Sequence, residues 1–471
     1  MTRTVVVIGG GAAGMSAASA ARRTDPESSI TVLEAGPFAS YGVCGLPYFI
    51  SGVVPEANSL VAMPPEEFRD KRRIDLRLGA TVDRIDRDAQ VVYSGSQAHP
   101  FDVLVLASGA APIVPPIPGV EDPRVVTIRR LDEAISLRDR LSGVKRAVVV
   151  GAGYVGLEMA EALVEQGIEV TVVDRLPRVM STVDVDIAEL VEREVRQHCE
   201  LRLESALVAL HPSADSVRVE LDSGSLDVDL VVLALGVRPS TDILKDFELP
   251  ALPNGALVVD DHMRTPHPNV LAAGDCIALH HRVLNGPAFV PLGPAANKTG
   301  RVAGTVAAGG DAAFEGIVGT AVVKVFDLTV AHTGLTLADA QAAGFEAVAT
   351  DITAKSRAKY YPGAEPLRVR LVHQADGKLL GGQLVGRDGA AQRVDVIAAA
   401  LHTGLGIDEL AAFDLAYAPP FSPVYDPLTQ AAQAAQFAMA KGSMAEGSMA
   451  KGSMAKTASG RTATPRDGGT R

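Results

Sequence analysis

Cysteine is scarce in this sequence, and its three cysteines lie far apart. Cys44, Cys199 and Cys276 are distributed over 471 residues, and no two of them have the spacing of a CxxC motif or a metal site. A disulfide framework is therefore excluded, and a reducing, cytoplasmic setting is the simplest expectation. The histidines show no ligand spacing either, so no metal site is predicted.

Long hydrophobic runs and an excess of positive charge are also missing. Glycine interrupts the apolar start MTRTVVVIGGG too early for a signal peptide, and later runs such as Val228 to Leu235 are far shorter than the roughly 20 residues that cross a bilayer. Lysine and arginine number 44 against 56 acidic residues, which gives a net charge of −12. This balance disfavours binding to nucleic acids or to anionic membranes.

Glycine, by contrast, is abundant, and two glycine-rich turns occur in the same sequence context. A strand-like segment, a glycine turn and a helix-like segment occur twice, and each unit ends in an acidic residue about 20 positions after its last loop glycine. Glycine lets the backbone approach a pyrophosphate, and the helix N-terminus that follows offers free N–H groups to it. The two predicted dinucleotide loops with their acids comprise Gly9, Gly11, Ala12, Ala13, Gly14 and Glu34, and Gly151, Gly153, Tyr154, Val155, Gly156 and Asp174.

Two dinucleotide sites in one chain imply electron transfer between two cofactors. A flavin fits the first site, because the segment TPHPNVLAAGDC supplies Asp275 to a ribityl chain. A nicotinamide fits the second, where Asp174 favours the free 2′-hydroxyl of NADH. Arg175 and Arg178 lie close enough in sequence to leave NADPH open.

These patterns predict an α/β protein with two Rossmann-like domains and a C-terminal α+β module. We expect a FAD domain over 1–115 and 257–325, into which an NAD(P)H domain, 116–256, is inserted. The α+β module is predicted over 326–437. Residues 438–471 repeat MAKGS and MAEGS before a polar, glycine-bearing end, and this composition predicts a disordered tail.

Cys44 is the cysteine with a predicted chemical role. It lies in SYGVCGLPY, shortly after Glu34, and a helix beginning after it would lower the thiol pKa to about 3.5–7.5 and favour the thiolate. Cys199 and Cys276 are interpreted as packing residues.

Six motifs in order give the sequence a family resemblance. GGGAAG, SYGVCGLPY, GAGYVGLE, HPNVLAAGDC, YYPG and AYAPPF resemble the single-cysteine branch of the pyridine nucleotide-disulfide oxidoreductases, over about residues 4 to 430. Coenzyme A-disulfide reductases and CoA-dependent NAD(P)H sulfur and persulfide reductases are the most similar subgroups. The resemblance implies FAD, NADH or NADPH, and a homodimer formed through the C-terminal module.

The resemblance also assigns roles to residues. Cys44 would do the redox work alone, because Phe49 stands where a second cysteine would be, and Tyr361 would hydrogen-bond or protonate a leaving thiolate. The implied cofactor contacts, besides the two loops and their acids, are Ser108, Gly109, Glu158, Gly274, Asp275, Ala295 and Phe421, with Tyr154 gating the nicotinamide. The implied CoA contacts are Ser16, Arg23, Ser40, Lys71, Arg72, Asn297, Lys298, Arg301 and Tyr361.

The favoured reading is an FAD-dependent NAD(P)H oxidoreductase that reduces CoA disulfide or CoA persulfide through Cys44. Phe421 lacks the hydroxyl found in some relatives, which keeps persulfide or polysulfide reduction attractive. An NADH oxidase remains open, although Ala12 replaces the histidine that peroxidases and oxidases of the family carry. A second alternative is an NADH-sensing flavoprotein whose 438–471 tail docks a partner.

Overall fold

The computed structural model describes residues 2–441, which divide into two compact units, one that ends at His332 and one that begins at Thr333. The first unit contains two parallel five-stranded sheets, and the second contains an antiparallel sheet with helices. The predicted α/β fold with two dinucleotide-binding folds and an α+β module is therefore confirmed.

The first sheet joins segments from the start and the later part of the first unit. Hydrophobic β-branched residues fill its central strand, which is buried on both faces. The five parallel strands lie in the order Val270–Ala272, Val103–Leu106, Thr4–Ile8, Ser29–Glu34 and Asp75–Leu78. Val270–Ala272, which follows the second sheet in the chain, thus pairs with a strand of the first sheet.

The second sheet repeats this arrangement. Its parallel strands lie in the order Glu200–Arg202, Glu169–Val173, Arg146–Val150, Leu230–Leu233 and Val125–Val126. In both sheets the glycine loop follows the central strand, so each loop lies at the carboxyl edge, where ligands bind in such folds.

Helices and smaller sheets complete the first unit. Its α-helices are Ala12–Thr24, Leu46–Ser51, Leu131–Arg140, Tyr154–Glu165, Val185–His198 and Gly293–Ala307. It also has two three-stranded antiparallel sheets, which are Arg84–Asp86, Val91–Ser94 and Gln97–Pro100, and Leu207–Pro212, Val217–Leu221 and Gly224–Val228. Two further antiparallel pairs are Ala110–Pro112 with Val237–Pro239 and Ile277–His281 with Gly286–Ala288. The strand Ile277–His281 also pairs in parallel with Leu257–Val258. A hairpin, Ala321–Val325 with Leu328–Gly334, starts five residues before the predicted start of the third domain at 326.

Small residues bring two helices of the first unit together. A Cβ atom at Gly300 would overlap the carbonyl of Ala13, and one at Gly304 would overlap the carbonyl of Ala17. The Gly293–Ala307 helix therefore lies directly against the Ala12–Thr24 helix, and this contact sets the spacing of the polar side chains along the edge of both.

The second unit is built around three antiparallel strands, Ala347–Lys355, Pro366–Gln374 and Leu379–Gly386. The α-helices Leu337–Ala342, Ala390–Thr403 and Ile407–Ala412 belong to it, and a further helix covers 427–441. That helix passes residue 438, where the disordered tail was predicted to begin. The helix therefore includes 438–441, four residues that were predicted as tail, although its buried apolar residues, Leu428, Ala431, Ala432 and Ala435, all precede them; the rest of the predicted tail, 442–471, lies outside the described residues.

Among the helices of the described part of the chain, none is long and apolar enough to cross a membrane.

Candidate active site

The first glycine loop is shaped by steric requirements that only glycine meets. Gly9 has a φ of +104° and donates its N–H to the carbonyl of Leu33 at 2.8 Å. A Cβ atom at Gly14 would overlap the carbonyl of Gly9, whereas one at Gly11 would meet no atom within 4 Å. The loop is therefore closed on its inner side and open at Gly11, where the Ala12–Thr24 helix begins and a pyrophosphate can approach.

Glu34 is held at the end of its strand by two backbone groups. Its carboxylate accepts hydrogen bonds from the N–H groups of Gly10 at 2.5 Å and Gly36 at 2.6 Å. A carboxylate has about four acceptor positions, so positions remain for ribose hydroxyls. Beside it lies a cavity of about 300 Å³ whose lining includes Gly9, Leu33, Glu34 and Ser108. These features fit the adenosine half of FAD.

The second loop has the same geometry. Asp174 accepts hydrogen bonds from the N–H groups of Ala152 at 2.7 Å and Leu176 at 2.9 Å. A Cβ atom at Gly156 would overlap the carbonyl of Gly151, and Gly153 again faces open space. The arrangement fits a nicotinamide dinucleotide.

Tyr154 and Val155 follow this loop on the Tyr154–Glu165 helix. The Tyr154 hydroxyl lies 3.1 Å from that of Thr182, and its ring stacks on His332 with the centroids 6.2 Å apart. Burial raises the pKa of Tyr154 to about 12. The phenol is therefore neutral, and Val155 beside it is exposed.

The remaining predicted cofactor residues lie at the carboxyl edge of the first sheet and on the helix next to it. The Ser108 hydroxyl donates to the carbonyl of Ser240 at 2.5 Å, and Gly109 and Gly274 have φ values of +70° and +83°. Gly274 donates its N–H to Thr299, one turn after the buried Ala295 on the Gly293–Ala307 helix.

Asp275 has a partner that sequence reasoning missed. The Arg129 guanidinium donates to the Asp275 carboxylate at 2.7 Å, and both side chains are largely buried. The two residues are remote in sequence, and the pair Arg129-Arg130 carries no motif that singles out either arginine. Arg129 therefore adds a positive charge to the edge where a flavin would lie.

Cys44 lies in a short 3₁₀ turn, Val43–Gly45, directly before the Leu46–Ser51 helix. Its pKa is raised, first by loss of solvation and then by the carboxylates of Glu158 and Asp275, while Arg129 acts in the opposite direction. The predicted lowering of this pKa is wrong for the polypeptide alone. Loss of solvation around the thiol is the largest cause of the higher pKa, and the charges of Glu158 and Asp275, from two remote segments of the chain, add to it.

The three cysteines differ in access. Cys44 is exposed, Cys199 is half-buried and Cys276 is buried, and none forms a disulfide. Burial raises the pKa of both Cys199 and Cys276 to about 11. The expectation that these two are packing residues agrees with their burial, and Cys44 is the thiol that an external reagent can reach.

Glu158 is an unusual carboxyl group close to Cys44. Burial raises its pKa to about 7, and the charge of Glu161, one turn further along the same helix, adds to the effect. Glu161 is itself held in place by the Lys324 ammonium and by the N–H of Phe326 at 2.7 Å, both from the hairpin that begins at Ala321. Sequence reasoning missed the Glu161–Lys324 pair, because 163 positions separate its members.

Replacing Glu158 by glutamine is expected to increase the reactivity of Cys44 at alkaline pH. Below about pH 7 Glu158 is largely protonated and the substitution changes little, whereas above it the lost negative charge lowers the Cys44 pKa. Alkylation of the flavin-free protein by iodoacetamide should therefore accelerate by about threefold at pH 8. Glu165→Gln, at the exposed end of the same helix, is the matched control; equal rates in all three proteins would refute the electrostatic coupling.

The structure brings part of the predicted CoA-binding set together. Ser16 donates to the side-chain oxygen of Asn297 at 2.7 Å, across the close contact of the two helices. Arg72 donates to Ser19 at 2.6 Å, on the same helix as Ser16 and Arg23. A continuous polar edge thus runs along the Ala12–Thr24 helix.

Other members of that set are placed differently. Lys71 pairs with Glu67 at 3.1 Å on the protein surface, and both side chains are exposed. Ser40 takes part through its backbone, donating its N–H to Gly10. Lys298 and Arg301 are exposed on the Gly293–Ala307 helix, and Arg23 is exposed on the facing one.

Tyr361 and Phe421 belong to the second unit. Phe421 is 77% exposed and Tyr361 is 38% exposed. They lie in two loops that a backbone hydrogen bond joins, from the N–H of Ala358 to the carbonyl of Pro419 at 3.2 Å. Large aromatic groups held at a surface are typical of an interaction site.

Comparison with known proteins places this arrangement among relatives. Residues 3–304 match the pyridine nucleotide-disulphide oxidoreductase family, and residues 320–428 match its dimerisation domain. A CoA-dependent NAD(P)H sulfur oxidoreductase of Pyrococcus abyssi is 38% identical over 92% of this chain and 98% of its own length.

Two solved structures are similar over most of the chain. The NAD-dependent persulfide reductase from A. fulgidus has a TM-score of 0.88 and 38% identity, covering 92% of this chain and 83% of that one. The water-forming NADH oxidase from Lactobacillus brevis, bound to NADH, has a TM-score of 0.90 and 31% identity, covering 94% of this chain and all of that one. Because the two family models together match most of the chain and a relative 38% identical is covered almost over its full length, the chain belongs to the pyridine nucleotide-disulphide oxidoreductases.

Proposed function

We propose that this protein is an FAD-dependent NAD(P)H oxidoreductase that reduces CoA disulfide or CoA persulfide through Cys44. The observation that carries the proposal is the isolation of this thiol. Cys44 is accessible, it lies within the electrostatic reach of Asp275 and Arg129 beside the flavin-type loop, and it forms no disulfide with Cys199 or with the buried Cys276.

The polypeptide supports a defined sulfur chemistry. Cys44, as the thiolate, attacks one sulfur of an external disulfide; a bond forms to Cys44 while the original S–S bond breaks and a thiolate leaves. NADH and FAD, when bound, supply the electron pair that cleaves the resulting bond on Cys44. Arg129 favours the thiolate form, and Glu158, with a pKa of about 7, is placed to change its protonation state near neutral pH.

Dimerisation would complete the site. The match of 320–428 to a dimerisation domain and the exposed aromatic side chains of the second unit support a homodimer in which Tyr361 and Phe421 reach the Cys44 region of the other subunit. The phenol of Tyr361 would then protonate the leaving thiolate. We place the enzyme in the cytoplasm, where thiols remain reduced.

Arg23 and Arg301 are the best-placed groups for the phosphates of CoA. Within the part of the chain that the structure describes, neither guanidinium has a hydrogen-bond or ion-pair partner, and the helices that carry them lie against each other. Unpaired guanidinium groups on one surface are suited to bind phosphate.

The double substitution Arg23→Gln and Arg301→Gln is expected to raise the KM for CoA disulfide by about thirtyfold, since each of the two lost charge-assisted hydrogen bonds contributes on the order of 1 kcal/mol. The KM for NADH and the turnover of a small disulfide such as cystine should stay unchanged. Arg146→Gln, an exposed arginine at the far end of the second sheet, is the control. An equal rise in KM for both disulfides would argue against CoA binding at this edge.

Anaerobic consumption of NADH tests the proposed function. Addition of CoA disulfide or CoA persulfide should start turnover, whereas small-thiol disulfides should support it poorly. The water-forming oxidase is a structural relative, so oxygen is the competing substrate. Turnover with oxygen alone would assign the chain to the oxidase group instead.

A further inference from the structure

Four exposed aromatic residues of the second unit lie in segments without helix or strand of their own. Tyr360 and Tyr361 belong to the 356–365 loop, and Tyr417 and Phe421 to the 413–426 loop. Tyr360 and Phe421 are 76% and 77% exposed. We call these four residues the aromatic surface. Irregular segments that present large apolar side chains to solvent need another source of order.

One buried guanidinium supplies that order. Arg393, on the Ala390–Thr403 helix, is 8% exposed and donates to the carboxylate of Asp426, which is equally buried. The same side chain donates to the carbonyl of Ser356 at 3.0 Å and to the carbonyl of Phe421 at 3.4 Å. It therefore bonds to the backbone of both loops that carry the aromatic surface.

The network continues beyond the guanidinium. Asp426 accepts from the Ser422 hydroxyl at 2.9 Å and from the N–H of Leu428, so it fixes the residue after Phe421 and the start of the 427–441 helix. The side chain of Tyr417, from the second loop, interacts with that of Tyr360, from the first, and this interaction raises the pKa of Tyr360. A fork of donors directed at two loop carbonyls and one carboxylate is a geometry that arginine provides and lysine does not.

We propose that Arg393 is a positioning residue for disulfide reduction, which fixes Tyr361 and Phe421 in the relative placement that the reaction needs. The inference rests on the proposed function, in which the aromatic surface meets the Cys44 region of a second subunit. Arg393 itself is buried and touches neither substrate nor cofactor in this role. It acts through the loops.

Arg393→Lys tests the inference in the holoenzyme. The ammonium keeps the charge opposite Asp426 but cannot reach both loop carbonyls. We expect kcat for CoA disulfide to fall by about tenfold, because misplacing a catalytic group by a fraction of an ångström has effects of this size. The KM for NADH and the rate of NADH-ferricyanide turnover, which needs neither Cys44 nor Tyr361, should stay unchanged.

Arg370→Lys is the matched control. Arg370 is also buried in the second unit, at 7% exposure, and donates two hydrogen bonds to Asp351, from the Pro366–Gln374 strand to the adjacent one. Neither of these bonds involves the two loops. This variant should therefore keep disulfide turnover within about twofold of the unmodified enzyme.

A double-mutant cycle separates positioning from general stability. If Arg393 acts through Tyr361, adding Arg393→Lys to Tyr361→Phe should lower kcat little further. The inference is overturned if the two substitutions lower kcat independently, so that their effects multiply. It is also overturned if Arg393→Lys lowers ferricyanide turnover in parallel, or lowers disulfide turnover no more than Arg370→Lys does.

Trypsin cleavage after Lys359, in the first loop, gives a readout that does not depend on the substrate. Arg393→Lys should accelerate it by about fivefold relative to the unmodified enzyme and to Arg370→Lys. Faster cleavage in a protein that reduces no CoA-linked sulfur compound would refute the proposed function and retain the role of Arg393 in ordering the loops. Unchanged cleavage would refute the inference itself.

Discussion

Replacing Cys44 by serine is expected to abolish disulfide and persulfide turnover, with a loss on the order of 10³-fold or more, as for other covalent nucleophiles. Serine keeps the size and a hydrogen-bond donor, but it cannot form an S–S bond with a substrate. Because both dinucleotide loops are unchanged, NADH-ferricyanide turnover and the flavin content should remain. The measurement is anaerobic steady-state kinetics with CoA disulfide.

A control variant and a spectroscopic measurement accompany this substitution. Cys199→Ser, at a half-buried site, should leave disulfide turnover intact. The NADH-reduced parent enzyme should show a long-wavelength absorption band from contact between a thiolate and the oxidised flavin, and Cys44→Ser should lack it. If Cys44→Ser retained disulfide turnover, the catalytic thiol would have to be another residue.

Replacing Asp174 by alanine is expected to invert the preference between the two nicotinamide cofactors. We expect the carboxylate that follows the Glu169–Val173 strand to repel the 2′-phosphate of NADPH and to bind the free hydroxyl of NADH. Arg175 and Arg178 follow it, and among residues 2–441 no side chain pairs with either. Asp174→Ala removes a negative charge that would repel the phosphate and leaves the two guanidinium groups in place. The ratio of kcat/KM for NADPH to kcat/KM for NADH should therefore rise on the order of 10²-fold.

The substitution Arg175→Gln with Arg178→Gln gives the complementary result. It should raise the KM for NADPH and leave that for NADH within about twofold, since a phosphate and not a hydroxyl is the partner of these cations. Calorimetric titration with 2′-phospho-ADP-ribose and ADP-ribose separates binding from turnover. An unchanged cofactor ratio in Asp174→Ala would show that discrimination resides elsewhere.

The two glycine loops are local features of the fold and could be predicted from the sequence. The contacts that define each dinucleotide loop connect residues within about 25 positions, and Gly9, Gly14 and Glu34 occupy places that few other residues can fill. The same holds for Gly151, Gly156 and Asp174. Sequence spacing alone was therefore enough to place the two loops and their acids.

The electrostatics of Cys44 could not be predicted in this way. Its pKa is raised first by loss of solvation and then by the charges of Glu158 and Asp275, and both effects come from segments that the fold brings near the thiol from remote positions. Lys71 illustrates the same limit, since its pairing with Glu67 follows from a local π-helical turn that no periodicity indicated. The roles of Arg129 and Arg393 could not be predicted, because their partners are distant in sequence and neither arginine lies in a motif.

The central claim is that Cys44 forms a mixed disulfide with a sulfur atom of a substrate from outside the chain. Mass spectrometry of peptides after treatment of the reduced enzyme with CoA disulfide tests it most directly. One CoA per subunit should be found as a mixed disulfide on Cys44, with Cys199 and Cys276 unmodified. A disulfide between two cysteines of the chain, or CoA on another cysteine with Cys44 free, would contradict the account.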